Sequence, residues 1–410
     1  MAQIINPKLR ELDKKVGDFY KLSARYFGSL VNLHGREIYK EGLANLLQET
    51  SGVKPEGRFD ELVLDNIQSN LRLNDIVIDY FADPNFAIPV KDFFDRLAGE
   101  GTFEYLEERV KSPPWERMWQ HSEKRQEKDY SRVNPFTEEA QKSARDWLPR
   151  IKEDIIEFGK AEGYLPQDFD MSLLLLPPKD GAEWSNWNSK TKVFSLGSYG
   201  FEFFPENGGV IAIPTRAYNV AFHEVLGHGA HQIHSEQMPY SLRFTEEVGS
   251  ITPTKSITEG VAINAEKKCY DFLRQRLDKL GLSEENVALL EEENDLEQQS
   301  RMEYMYYALT KDREVREEGF NGYEHILELT QNPVIARGFK DDFKGSFMDV
   351  WRTTGHTLGP LHYQRMLDKA KRELGDTYLD NKDFHKATLM GAWSREVYPD
   401  AVSYMAKEKK

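Results

Sequence analysis

Residues 221–234 read AFHEVLGHGAHQIH and hold four of the ten histidines in this 410-residue chain. His223 and His228 stand five residues apart, and Glu224 directly follows the first of them. Imidazoles near helical spacing, beside a carboxylate, are the groups with which a protein holds zinc and activates a water molecule on it. The stretch therefore predicts a metal-dependent hydrolase.

The spacing of the two histidines sets a condition on the helix that carries them. Each residue of a regular α-helix advances by about 100°, so side chains five positions apart point about 140° away from each other. Both rings can reach one ion only if a one-residue bulge turns them to a common side, and Gly227 is a position where such a π-type bulge is tolerated. The pair His228 and His231 is the alternative, because a spacing of three needs no distortion.

A third metal ligand is predicted on the next helix, in the segment ITEGVAINAE. Zinc sites of hydrolases use three protein ligands and keep one position open for water, and Glu259 is the best candidate for the third. Glu266, seven residues on, lies on the same helical face and could orient a ligating imidazole. Two simpler interpretations stay open: Ser256 and Glu259 have the spacing of a capping box, and Glu266 could be an ordinary surface carboxylate.

Glu224 is the predicted general base, because its position after a ligand lets it reach the metal-bound water without occupying the metal. The alternative for the whole cluster is a set of surface histidines on an amphipathic helix. The residues next to the histidines and Glu224 include Phe222, Val225 and Leu226, which are apolar and predict a buried helix. Buried histidines and a buried glutamate need partners, and a metal ion supplies them.

Most of the chain has the apolar periodicity of helices, with start signals at Asn6-Pro7 and at Thr137, which is predicted to cap a helix ending near Gly163. Between about residues 172 and 214, short apolar runs separated by Gly, Pro and Asn predict strands instead, at 173–176, 193–196, 200–204 and 210–213. We expect a mainly α, multi-helix fold with a small β-sheet preceding the histidine-bearing helix, which Thr215 would cap. The predicted division is an N-terminal helical region, 1–133, and a continuous two-lobed catalytic region, 134–410.

Composition narrows the classes of function and partner. The fractions of hydrophobic (39%) and charged (30%) residues are typical of a soluble globular chain, and no apolar run approaches the ~20 residues of a membrane span. The net charge of -15 argues against nucleic acid and anionic membranes as partners. The one cysteine, Cys269, and the lack of a visible secretory signal at residues 1–10 predict a cytoplasmic protein. The sequence indicates no oligomeric state.

At the histidine motif the chain resembles the gluzincin metallopeptidases. HEVLGHG at 223–229 is similar to the expanded His-Glu-x-x-Gly-His motif of dipeptidyl peptidase III, which has an extra residue between its histidines. TEGVA at 258–262 is similar to the Glu-Gly-Trp-Ala segment of a bacterial group of mostly helical zinc peptidases of unknown function, with Val261 in the Trp position. The resemblance covers about residues 205–400. It implies a zincin-like fold, one zinc ion on His223, His228 and Glu259, and Glu224 as the base.

The same bacterial group has a Phe-His-Asp-x-x-Leu-x-x-Gly run that residues 383–391 resemble. A tyrosine expected between residues 355 and 363 is absent, with Pro360 at its position. The group that stabilises the oxyanion by hydrogen bonding is therefore sought elsewhere. His356 is preferred, in a TTGHT turn that could open a helix, although a capping or solvated histidine is an equal alternative. The other candidates are Tyr363, Tyr304, Tyr306 and Tyr307.

Two further positions have predicted roles. His385 is expected to be structural and to bind a backbone carbonyl. The strand at 210–213 could offer its edge to an extended peptide, as β-augmentation requires, or could be an ordinary sheet strand.

The sequence thus predicts zinc-dependent hydrolysis of peptide bonds, with short peptides as substrates. Two alternatives remain: a metal-dependent hydrolase of a non-peptide amide, and a non-catalytic protein with a structural metal site. A structural site has four protein ligands and no open position. An additional ligand such as His231 closing the coordination sphere would favour that second alternative.

Overall fold

The computed structural model describes residues 3–25, 33–82, 88–111, 134–135, 137–176, 185–197, 200–206, 209–243, 254–317, 347–379 and 381–407, together with residues 117, 120 and 327. Helices dominate this part of the chain, so the mainly α prediction is confirmed. The predicted boundary at residue 133 adjoins a stretch outside the described residues, and the division into two regions stays a prediction. Among the described helices, none combines the length and apolarity needed to cross a bilayer.

The α-helices follow one another in this order: α1 (Pro7–Arg25), α2 (Leu33–Thr50), α3 (Arg58–Ala82), α4 (Val90–Ala98), α5 (Thr102–Val110), α6 (Glu138–Glu162), α7 (Thr215–Ala221), α8 (Ala230–Ser235), α9 (Lys255–Arg274), α10 (Leu277–Leu280), α11 (Glu284–Glu317), α12 (Phe347–Leu374), α13 (Lys382–Thr388) and α14 (Tyr398–Lys407). A π-helix, Phe222–Gly229, joins α7 to α8. We call the continuous segment 215–235 the histidine helix. Short 3-10 helices lie at Tyr240–Leu242 and Asp376–Tyr378.

Five short strands lie between α6 and α7, as predicted for this part of the sequence. They are β1 (Ser172–Leu175), β2 (Asn186–Asn188), β3 (Val193–Leu196), β4 (Glu202–Glu206) and β5 (Gly209–Ile213). In the first sheet β3 pairs with β1 in parallel and with β2 antiparallel, and β4 and β5 form a separate antiparallel pair. The strand β2 was not predicted, because three residues are too few to establish an alternating pattern.

The helix starts follow local hydrogen bonding. The side-chain oxygen of Asn6 accepts from the backbone N–H of Lys8 (2.8 Å) and of Leu9 (3.1 Å), which satisfies two amides of the first turn of α1. Thr137 caps α6 as predicted, accepting from the N–H of Ala140 at 3.2 Å. Thr215 is instead the first helical residue of α7, and Pro214 precedes it at the cap position, so that prediction is wrong by one residue.

The histidine helix is buried between α6 and α9. Phe222 is fully buried, and its ring centroid lies 4.9 Å from that of Phe158 in α6 and 5.3 Å from that of Phe272 in α9. The interior packing of these aromatic rings fixes the histidine helix against its neighbours. The prediction of a buried helix at this position is confirmed.

Candidate metal centre

The segment Phe222–Gly229 is a π-helix, so the predicted bulge between the two histidines is confirmed. The wider turn compensates for the spacing of five and brings the two rings together, with centroids 4.8 Å apart and planes at 86°. His223, His228 and Glu259 each offer one ligand atom, and these three atoms lie within 4.8 Å of one another. The structure therefore assembles a group that could hold a metal ion from the three residues predicted.

An antiparallel pairing of the histidine helix with α9 positions this group. Successive contacts are four residues apart on each helix: Glu266 meets His223, and Ala262 meets Gly227. A Cβ atom on Gly227 would lie 2.5 Å from the Cα atom of Ala262, closer than real Cβ contacts occur. The absence of a side chain at Gly227 is thus what lets the bulge approach α9 and the glutamates on it.

Glu259 is 1% exposed and sits among three imidazoles. Its carboxylate oxygens lie 3.8 Å from Nε2 of His223 and 3.6 Å from Nε2 of His228. Tetrahedral zinc with bonds of 2.0–2.1 Å separates its ligand atoms by about 3.4 Å, so these two separations are close to those of a zinc site. A buried carboxylate favours a neighbouring cation, and two imidazoles with one carboxylate are a donor set that fits zinc.

The capping interpretation of Glu259 is wrong. The helix α9 begins at Lys255 after Thr254, and no side chain caps its start. Ser256, the proposed partner in a capping box, instead lies with its hydroxyl 2.9 Å from Nδ1 of His362 in α12. Glu259 is therefore left to face the histidines.

Glu266 lies behind the group and fixes one of its rings. Its carboxylate oxygen Oε1 is 2.5 Å from Nδ1 of His223, a charge-assisted contact that leaves Nε2 of the ring directed to the metal position. Burial lowers the pKa of His223, but the hydrogen bond to Glu266 and the charges of Glu266, Glu259 and Glu224 outweigh it and raise this pKa to about 9. The same negative potential favours a divalent cation at this point. The surface-carboxylate interpretation of Glu266 is wrong.

Glu224 stands in the first turn of the π-helix and is partly buried. Its charge contributes to the raised pKa of the neighbouring His223. Glu224 is not among the three candidate ligands.

His356 also reaches the site, although its predicted surroundings were wrong. It lies inside the long helix α12 and not in a turn that opens a helix. The Nδ1 atom of its ring is 3.0 Å from Oε2 of Glu259, and its side chain is 29% exposed. The helices α9 and α12 meet glycine to glycine here: a Cβ atom on Gly359 would lie 2.6 Å from the backbone nitrogen of Gly260. This close approach brings His356 to Glu259.

Three other histidines are structural. The Nε2 atom of His231 lies 3.0 Å from the carbonyl of Gly391, and that of His234 lies 3.0 Å from the carbonyl of Tyr164. The alternative pair of His228 with His231 is therefore not formed, and His231 does not join the candidate ligands. His385 binds the backbone carbonyl of Glu162 through Nδ1 at 3.1 Å, which confirms its predicted role.

Two of the four tyrosine candidates have described side chains, and both make contacts with residues other than the three candidate ligands. Tyr363 is 6% exposed, and its hydroxyl accepts from the side-chain amide of Asn264 at 3.2 Å. Tyr306 packs its ring against Phe94 and Phe103, with centroids 6.5 and 5.8 Å away. The side chains of Tyr304 and Tyr307 lie outside the described residues.

The edge of β5 is already occupied at its centre. The backbone N–H of Ala212 donates to the hydroxyl of Ser143 (2.9 Å), and its carbonyl accepts from the indole N–H of Trp147 (2.8 Å), both from α6. An extended peptide cannot pair with β5 at this residue, so the interpretation of 210–213 as an ordinary sheet strand is the correct one.

No family model and no curated protein matches the chain. One solved structure, the "putative lipoprotein from Colwellia psychrerythraea", aligns over 98% of this chain and 99% of its own. The aligned residues are 13% identical and the TM-score is 0.48. Similarity at this level supports no conclusion about activity, so the site is interpreted from the residues of this chain alone.

Proposed function

We propose that the chain is a zinc-dependent hydrolase of peptide bonds, acting on short peptides, with Glu224 as its general base. The observation that carries the proposal is the π-helix, which turns His223 and His228 to the same side as the buried Glu259. A local distortion of this kind has a cost, and such distortions are frequent at functional sites. The single, buried cysteine is consistent with a cytoplasmic location.

His223, His228 and Glu259 would hold the ion, and Glu266 would hold His223 in the orientation that ligation requires. When bound, zinc supplies a Lewis acid that makes water a nucleophile near neutral pH. Glu224 accepts the proton of the attacking water and passes it to the leaving amine. Its position directly after His223 and its partial burial support this role.

His356 is the proposed donor to the oxyanion that forms on the substrate carbonyl. Its Nδ1 atom lies 3.0 Å from Oε2 of Glu259, which keeps the ring beside the proposed metal ligands. An imidazolium carries an N–H on each ring nitrogen, so Nε2 would supply the donor to the oxyanion.

Access to the group favours catalysis over a purely structural metal. The side chains of His223 and His228 are 17% and 15% exposed, whereas Glu259 is 1% exposed. The candidate ligands among the described residues number three, which leaves one tetrahedral position for water. A structural site would close that position with a fourth side chain.

The test is Glu224→Gln, assayed on blocked and unblocked short peptides and on non-peptide amides, with zinc content measured by elemental analysis. We expect hydrolysis of peptides by the wild type, loss of turnover in Glu224→Gln, and about one zinc per chain in both. Glu259→Ala is the matched control and should lose the metal. Wild-type turnover by Glu224→Gln would contradict its role as base, and cleavage of only the non-peptide amides would contradict the substrate class.

A further inference from the structure

Three polar side chains from three helices meet one turn away from the His223–Glu266 pair. The side-chain nitrogen of Asn294 in α11 lies 3.0 Å from Oδ1 of Asn219 in α7 and 2.6 Å from the hydroxyl of Tyr270 in α9. Asn219 precedes His223 by four residues, and Tyr270 follows Glu266 by four. The three residues therefore form the next contact along the antiparallel pairing of the histidine helix with α9.

The hydrogen bonding of this contact depends on Asn294. An amide nitrogen has two protons, and here one is directed to Asn219 and the other to Tyr270. Asn219 is 5% exposed and Tyr270 is 6% exposed, so solvent offers little replacement for either bond. Burial, and next the charge of Glu266, raise the pKa of Tyr270, so its hydroxyl stays neutral and can accept from the amide.

We propose that Asn294 is a positioning residue for the metal centre, holding α7 and α9 at the separation that puts Glu266 in contact with His223. The inference rests on the proposed function, since it assigns Asn294 a role in metal binding. The physical reason is the short His223–Glu266 distance of 2.5 Å, which tolerates little change in the spacing of the two helices. Groups behind a ligating histidine set its orientation and so tune metal affinity.

The structure supplies a matched control on the same helices. Arg216 of α7 pairs with Glu293 of α11 at 2.5 Å, next in sequence to Asn294. This ion pair joins α7 to α11 and is not part of the contact with Tyr270. If Asn294 acted only by attaching α11 to α7, removing the Arg216–Glu293 pair would have a comparable effect on the metal.

The experiment measures the zinc dissociation constant by chelator competition, and the visible spectrum of the cobalt-substituted protein, for Asn294→Ala, Tyr270→Phe and Arg216→Gln. We expect zinc binding at least tenfold weaker in Asn294→Ala, within the ~10–100-fold range of second-shell substitutions, with shifted cobalt bands. Tyr270→Phe should change the zinc dissociation constant and the cobalt spectrum in the same direction. This variant provides the test if Asn294→Ala does not fold. Arg216→Gln should match the wild type.

Wild-type zinc affinity and cobalt spectrum in both Asn294→Ala and Tyr270→Phe would overturn the inference, as would an equal loss in Arg216→Gln. A wild-type protein that takes up no zinc would instead overturn the proposed function. Crystal structures of the metal-free wild type and of Asn294→Ala would then decide: retention of the Glu266–His223 contact in the variant overturns the positioning role, and its loss supports it.

Discussion

Gly227→Ala adds one methyl group at the point where the π-helix touches α9. The new Cβ atom would start 2.5 Å from the Cα atom and 2.7 Å from the Cβ atom of Ala262. Carbon atoms pack at about 3.5–4.0 Å, so the two helices must separate locally by about 1 Å. The neighbouring backbone of α9 cannot rotate away as a flexible side chain would. His228, the next residue, must therefore move away from Glu259.

Two effects of known size follow from that displacement. Overpacking of this kind costs about 1–3 kcal/mol of folding stability, which exceeds the gain of up to about 1 kcal/mol that alanine has over glycine in a helix. Metal–ligand distances are tolerated to about ±0.2 Å, so a shift of about 1 Å at His228 should weaken zinc binding at least as much as loss of an outer partner, about 10–100-fold. We expect both losses in one variant.

The assays are urea unfolding of the metal-free protein and zinc titration against a chelator. The matched control is Gly57→Ala, because the nearest atom to a Cβ there is the flexible side-chain tip of Ile5 at 3.8 Å. A Gly227→Ala protein that is as stable as the wild type and binds zinc as tightly would refute the close approach, and with it the account of how the histidines are positioned.

Two further predictions concern the charges and the buried histidines. Glu266→Gln keeps an acceptor beside His223 but removes its charge, so zinc affinity should fall about 10–100-fold; an unchanged dissociation constant would contradict the role of Glu266. Burial lowers the pKa of His231 to about 4 and, with the charge of Arg395, that of His362 to about 3. Both rings are neutral in the folded protein. Their contribution to folding stability is therefore complete above the unfolded pKa of about 6.5, and it is lost as the pH falls towards 4 for His231 and towards 3 for His362. At about 1.4 kcal/mol per pH unit, protonation of His231 alone should lower the free energy of unfolding by about 3 kcal/mol between neutral pH and pH 4. In His362→Gln, the free energy of unfolding should fall less steeply with decreasing pH than in the wild type. An equally steep fall in that variant would refute this prediction.

The histidine spacing was sufficient to predict the bulge, because geometry leaves few ways for two rings five residues apart to share an ion. Glu259 and Glu266 could be placed on one face of the next helix for a similar reason, since helical periodicity relates them directly. The contact between that helix and the histidine helix is a tertiary contact, which helical periodicity does not predict. Gly227 indicated a close approach, and the structure shows that Ala262 is the residue that it faces.

His356 shows where local signals fail. Gly355 in the TTGHT segment suggested a turn, because glycine weakens helices. Pro360, which cannot donate to the carbonyl of His356, also lies inside the observed helix. The chain is helical across all of them because α12 packs against α9, and that packing requires the small residue at 359. The Asn294 contact could not be predicted at all, since its three members come from helices with no sequence relation to one another.

The glycine-to-glycine contact of α12 with α9 has a structural consequence. Gly359 touches Gly260 without intervening side chains, so the two backbones meet directly at this point. His356 lies three residues before it and His362 three after, about 4.5 Å away along the helix in each direction. The ring of His362 is hydrogen-bonded to the end of α4 through the carbonyl of Ala98 at 2.9 Å. The end of α4 and the candidate metal centre are therefore joined through less than two turns of one helix.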